Sequence, residues 1–158
     1  MPARSSLRMF GQARDTDAPV PWSEVEARLR TAITIWIVAG GAARPLWAVW
    51  LDDALWFSTG SARLWQAMAA SPAMSAHLED GHDVVVVEGT HRRVDDDVAA
   101  LQPFCDAYNE KYSWDIAPMS IPGPVVVLEP RVVLAWKTGH YLDAKTDDFP
   151  LASSRFVF

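Results

Sequence analysis

The chain has 158 residues, half of them hydrophobic and 22% charged, with a net charge of −6. That is enough to bury a real core in one domain, and it excludes a disordered, collagen-like or coiled-coil design. The acidic balance, with no basic tract, argues against nucleic acid as a partner, because neutralising phosphates takes an excess of Lys and Arg.

Residues 1–20 mix Arg, Ser, Asp, Gly and Pro without periodicity and read as a flexible N-terminal arm; residues 21–158 read as a single domain. "PWSEVEARLRTA" opens on Pro21, offers Ser23 as an N-cap with Glu26 three residues on, and predicts a short helix. Three β-rich runs follow, "ITIWIVA", "RPLWAVWLD" and "ALWFSTG", broken by "GGAAR" and by a "DD" turn, which is hairpin punctuation. "SARLWQAMAAS" is helical up to Pro72. "AMSAHLE" and "DVVVVEGTHRRV" pair across "DGHD", with "VVVV" ending at the bend marked by "EG". "DDDVAALQPFCDAYNEKY" is a helix with acids in its first turn, Lys111 near its end and a kink or break at Pro103. After the linker "IPGP", "VVVLEPRVVLAWK" reads as two short runs bent at Pro130, and "LASSRFVF" as a closing strand. Sequential hairpins with a few inserted helices predict a mainly β, mostly antiparallel sheet closed into a barrel of roughly six to eight strands.

Cys105 is the single cysteine, so no disulfide can form within the chain, and a reducing cytoplasm is the expected setting. The opening stretch has no apolar run of signal-peptide type, and no run reaches the roughly 18–20 apolar residues of a membrane span. A small molecule and a second copy of the chain are the expected partners, with no nucleic acid and no membrane.

The chemistry-bearing stretch is "LWFSTGSARLWQ". A strand feeding a helix through Ser58, Thr59, Gly60 and Ser61 presents hydroxyls and backbone N–H groups at a helix N-terminus, which attracts phosphate or carboxylate, and Arg63 adds a bidentate cation. Thr59 or Ser61 also suits ordinary N-capping without any ligand, and both readings fit. "HLEDGHD" gathers His77, Glu79, Asp80, His82 and Asp83, but Asp80-Gly81 reads as a hairpin turn and no further ligand stands at a recognisable spacing, so no metal is expected. No nucleophile motif is present, and no catalytic acid or base is singled out. Eight Trp suit either core and interface filling or the walls of a pocket for a flat ring.

Taken in order, "WIVAGGAARPLWAVWLDDALWFSTG", "RLWQAMAASP", "HLEDGHDVVVVEG", "FCDAYNEKYSWD", "PRVVLAW" and "SSRFVF" resemble the pyridoxamine 5′-phosphate oxidase-like, flavin-binding split-barrel family from about Trp22 to Phe158. The resemblance implies an antiparallel split β-barrel, a homodimer, and FMN, or in one branch a deazaflavin coenzyme, lying between subunits. It assigns Arg44, Ser58, Thr59 and Arg63 to the cofactor's phosphate end, with Ser61 beside them in a turn one residue shorter than the family's. It has Trp136 and Arg155 reach the flavin from the other subunit. Two family lysines are replaced, by Leu64 and Val49, which removes up to two charges facing a phosphate of nearly −2. Leu64 lies about 100° around the helix from Arg63, so it can also face the barrel. The implied function is a flavin-dependent oxidoreductase. The alternatives are a flavin, deazaflavin or other planar-ligand binding protein without turnover, and a dimer whose cleft is filled by Trp.

Overall fold

The computed structural model describes residues 1–5, 7, 19–94, 98–138 and 152–158. Among them, nine antiparallel strands and three α-helices build the fold, with a single 3₁₀ turn at Pro118–Ser120.

Two tight hairpins start the sheet. β2 (Ile35–Ala39) and β3 (Ala42–Leu46) join through Gly40 and Gly41, and β4 (Ala48–Leu51) and β5 (Ala54–Ser58) through Asp52 and Asp53. All four linking residues have positive φ, between 50° and 77°. That is the conformation a two-residue hairpin loop needs to match strand twist, and Gly and Asp tolerate it best. β6 (Ala73–Leu78) turns into β7 (Asp83–Val94) with the Asp80 carboxylate accepting from the His82 and Asp83 N–H groups, 2.7 and 3.1 Å away. Those two bonds hold its pKa below the usual carboxylate value.

β8 (Val125–Lys137) is the spine of the sheet. One edge pairs with β7 along its whole length. The other edge is shared: β5 takes Val125–Leu128, and β9 (Ala152–Val157) takes Val132–Lys137. β1 (Ala3–Ser5) then adds to the far side of β9. The split falls at Pro130, which has no N–H to offer a partner and stands opposite Gly89, where the β7 register shifts. A Cβ on Gly89 would sit 2.0 Å from the Glu129 carbonyl oxygen, so only glycine fits there.

This arrangement makes two cores. Leu55, Phe57, Val126 and Leu128 point into the barrel with Ile35, Ile37, Val85 and Phe156, while α1 (Trp22–Thr31) adds Val25 and Leu29, and α2 (Ala62–Ala70) adds Leu64 and Met68. The alternate residues Val49, Trp56, Val125 and Val127 face α3 (Val98–Tyr112), which covers them with Leu101, Phe104 and Cys105. These strands are apolar on both faces because both faces are covered.

Several sequence-based boundaries shift. α1 begins at Trp22 on Pro21, whose carbonyl accepts from Glu24 and Val25 N–H, so Ser23 lies inside the first turn and is not the cap. "RPLWAVWLD" is two strands, β3 and β4, that change partner at Trp47. β7 continues past Glu88-Gly89 through a bulge, and β8 runs through Pro130. Pro103 sits inside α3 without breaking it. The acids expected in its first turn, Asp95 to Asp97, lie outside the described residues, as do residues 6 and 8–18 of the expected arm. No described helix is long and apolar enough to cross a membrane.

Candidate functional site

β5 ends at Ser58 and α2 starts at Ala62, so Thr59, Gly60 and Ser61 form the turn. Its hydroxyls are mostly occupied within the turn. Ser58 Oγ donates to the Gly123 carbonyl at 3.0 Å, Thr59 Oγ1 accepts from Ser61 N–H at 3.2 Å, and Ser61 Oγ caps α2 by accepting from Leu64 N–H at 3.3 Å. The N-capping role is therefore realised. The N–H groups of Ala62 and Arg63 have no acceptor among the described residues and stand at the positive end of α2. A Cβ on Gly60 would meet nothing within 4 Å, so the backbone there is open to approach.

Arg63 is exposed and lines an open depression with Gly40, Ala42 and Gln66, between α2 and the β2–β3 hairpin. Arg44 lies two residues beyond Ala42 on the same face of β3, with its guanidinium donating to the Ala43 carbonyl at 2.7 Å. The fold thus gathers Ser58, Thr59 and Ser61 at the turn and Arg63 in the first turn of α2, and sets Arg44 on β3, the strand that packs against α2.

Trp136 and Arg155 lie elsewhere. Val125, at one end of β8, pairs with Ser58, and Trp136 is eleven residues further along, up to roughly 36 Å at strand rise. Arg155 sits on the outer face of the sheet in a cross-strand row with Leu134, Val86, His77 and Trp36. The Trp36 and His77 rings in that row stack at 6.2 Å. One chain does not bring these two residues to the turn.

On the other side of the turn is a cleft of about 240 Å³, walled by Phe104 and Tyr108 of α3 and by Trp114, Ile116, Ile121 and Pro122 of the following loop. The loop is held in place. Asn109 makes a two-way bond to the backbone of Ile116, at 2.8 Å in each direction, and the Ser58 bond to Gly123 pins its far end. Rings continue from the cleft: Tyr108 packs on Tyr112 at 4.7 Å, Tyr112 stacks on Trp47 at 4.9 Å, and Trp114 meets Trp47 edge-on at 5.8 Å. The Trp residues therefore divide. Trp22, Trp50 and Trp56 fill cores, Trp36 and Trp136 lie on the outer sheet face, and Trp47 and Trp114 stay exposed beside the cleft.

Sequence reading missed Trp65, whose Nε1 donates to the Thr59 carbonyl at 2.9 Å, and the aromatic residues of α3. For Trp65 a signal existed, since it stands one helical turn after Ser61, whose carbonyl accepts from the Trp65 backbone N–H. At the two positions where the resemblance expects lysine, the side chains are core residues. Leu64 is fully buried in the barrel core and Val49 is 2% exposed in the core under α3. Among the described residues, no group of three or more His, Cys, Asp or Glu is placed to hold a metal ion.

No family model and no curated protein matches the chain. Solved structures do. A conserved hypothetical protein from Mycobacterium tuberculosis superposes with a TM-score of 0.67 at 17% identity, over 85% of this chain and 96% of its own. A FAD-binding protein from Mesorhizobium loti gives 0.57 at 16% identity, over 88% and 95%. An F420 reductase gives 0.52 at 18% identity, over 68% and 94%. At these identities the likeness establishes the fold, which is the split barrel of the pyridoxamine 5′-phosphate oxidase-like proteins.

Proposed function

We propose that the chain binds a flavin-type cofactor, FMN in the first instance, with its phosphate end at the Ser58–Arg63 turn, and that it works as a flavin-dependent oxidoreductase. The observation that carries this reading is the conjunction at the start of α2: two unengaged N–H groups, an open backbone at Gly60 and the exposed Arg63 guanidinium. Backbone donors at a helix N-terminus suit an anion, and an arginine fork suits a phosphate. The donor set fits a phosphate monoester held mainly by backbone and Arg63, with Arg44 as the second cation. The Thr59 and Ser61 hydroxyls act by shaping the turn.

When bound, the flavin ring supplies the electron-transfer chemistry. The chain's own contribution is binding, orientation and exclusion of water, and no side chain is assigned as an acid or base. With Trp136 and Arg155 assigned to the cofactor, their distance from the turn requires a homodimer in which each copy completes the other's site, with the half-buried outer sheet face as the contact. A second reading, a flavin or deazaflavin carrier without turnover, is favoured by the apolar cores that enclose Leu64 and Val49, since neither position can present a cation and Arg63 and Arg44 are left as the charged side chains offered to a phosphate.

The test is the visible absorbance of the purified protein before and after saturation with FMN. A two-band flavin spectrum that is retained through gel filtration supports the FMN reading. A single deazaflavin band selects the other cofactor, and no retained pigment rejects both. Reduction of the bound cofactor by a nicotinamide donor, followed by turnover, separates the enzyme from the carrier.

A further inference from the structure

The cleft on the far side of the turn has a chemistry opposite to that of the Arg63 depression. No charged side chain lines it among the described residues. Its walls are the rings of Phe104, Tyr108 and Trp114 and the aliphatic Ile116, Ile121 and Pro122. The Ser58 and Thr59 hydroxyls at its inner end already have partners in Gly123 and Ser61. Tyr108 lines the cleft, and its hydroxyl has no hydrogen-bond partner among the described residues.

The walls are also set in advance. Asn109 fixes Ile116 on α3, and the Ser120 hydroxyl ties Ala117 within the 3₁₀ turn, accepting from its N–H at 2.9 Å. At Gly123 a Cβ would come within 3.1 Å of the Thr59 carbonyl oxygen, so the loop seats closely against the end of β5. A held, apolar, ring-lined cleft beside few polar groups is the usual form of a small-molecule site. Its 240 Å³ is below the roughly 300–1,000 Å³ of sites for drug-sized ligands, which limits the occupant to about two fused rings.

We propose that this cleft binds an uncharged, planar aromatic molecule of one or two fused rings, and that it discriminates against phosphorylated or otherwise anionic relatives. Trp114 and Tyr108 offer ring faces and edges, and a charge placed among these walls would lose its hydration without gaining a partner. Calling that molecule the substrate rests on the flavin-type reading above, whereas its chemistry rests on the lining alone.

The experiment is titration calorimetry of the full chain with 1-naphthol and, in parallel, 1-naphthyl phosphate, which differ only in the charged group. Naphthol should bind saturably at one site per chain, and the phosphate, titrated against bound naphthol so that uptake at the Arg63 turn is not counted, should displace it at least about tenfold more weakly because the charge cannot be solvated in the cleft. Trp114→Ala, at a residue 56% exposed, and Ile121→Asp should each weaken naphthol about tenfold. Equal binding of the two probes, no saturable naphthol binding, or wild-type affinity in both variants would overturn the proposal. Arg63→Ala should leave naphthol affinity unchanged, so the two sites report separately. FMN failing to bind while naphthol binds removes the flavin reading alone, and the reverse removes the cleft alone.

Discussion

The indole of Trp65 reaches back across the strand-to-helix turn and donates from Nε1 to the carbonyl of Thr59 at 2.9 Å. That bond locks the end of β5 to the first turn of α2, and the Arg93 guanidinium lies 5.4 Å above the same ring. Trp65→Phe keeps a ring beneath Arg93 and removes only the N–H. The carbonyl of the buried Thr59 then loses its donor, at a cost of about 1 kcal/mol or more. A thermal melt should show the loss, and an FMN titration should show weaker binding as the turn loosens. An unchanged melt would mean that the turn is held without Trp65.

Lysines at the two positions where the resemblance expects them should harm this protein. Leu64 is fully enclosed by the barrel core and Val49 by the core under α3, so a lysine at either position buries an ammonium without a partner. Leu64→Lys should cost several kcal/mol, on the order of a lost core side chain plus a buried charge. Chemical denaturation measures the cost, and a parallel FMN titration should show no gain. Tighter FMN binding with an unchanged melt would instead place Leu64 at the anion site.

What the sequence made legible, and what it did not, follows from the range of the forces involved. The hairpins at Gly40-Gly41 and Asp52-Asp53 were readable because a positive φ is a local demand met by particular residues. The Ser61 cap was readable for the same reason. The strand change at Trp47 was not, since it depends on α3: Lys111 Nζ donates to the Ala48 carbonyl at 2.7 Å, and the Tyr112 hydroxyl accepts from the Ala48 N–H at 2.9 Å. Pro130 looked like a strand end because its tolerance depends on Gly89 opposite it, more than forty residues earlier in the chain. The apolar cleft joins residues from Ser58 to Pro122, and no spacing in the sequence announces it.

If Trp136 and Arg155 act across a two-fold axis, mixing should rescue damage. Arg63→Ala and Arg155→Ala homodimers should each bind FMN weakly. After refolding together, half of the dimers pair one of each variant, and each mixed dimer holds one undamaged site, so about a quarter of all sites should recover full affinity. Spectroscopic titration counts those sites. No recovery, with mixed dimers demonstrated by mass, would place Arg155 outside the cofactor site.

Lys111 gives the stability a pH dependence of definite sign. Burial pulls its pKa down from 10.5 to about 8, so between those values the unfolded chain holds the proton that the folded chain has released. Stability contributed at this position therefore rises with pH from about 8 towards 10.5, because the unfolded state binds more protons there. Tyr112 acts oppositely and later. Burial raises its pKa from 10 to about 12, and its contribution is lost across that interval. The difference in urea stability between the wild type and Lys111→Met, measured from pH 8 to 10, should grow in favour of the wild type. A flat difference would mean that the Lys111 ammonium stays solvated.

The start of α2 is proposed to hold the phosphate of a flavin. The most direct measurement is the affinity of the wild type and Arg63→Ala for FMN and for riboflavin, which carries no phosphate. A charge-assisted bond between Arg63 and the phosphate is worth about 1.5–3 kcal/mol, so FMN should weaken by roughly tenfold to a hundredfold. Riboflavin affinity should be nearly unchanged. Equal losses for the two ligands, or no loss for either, would place Arg63 away from the phosphate.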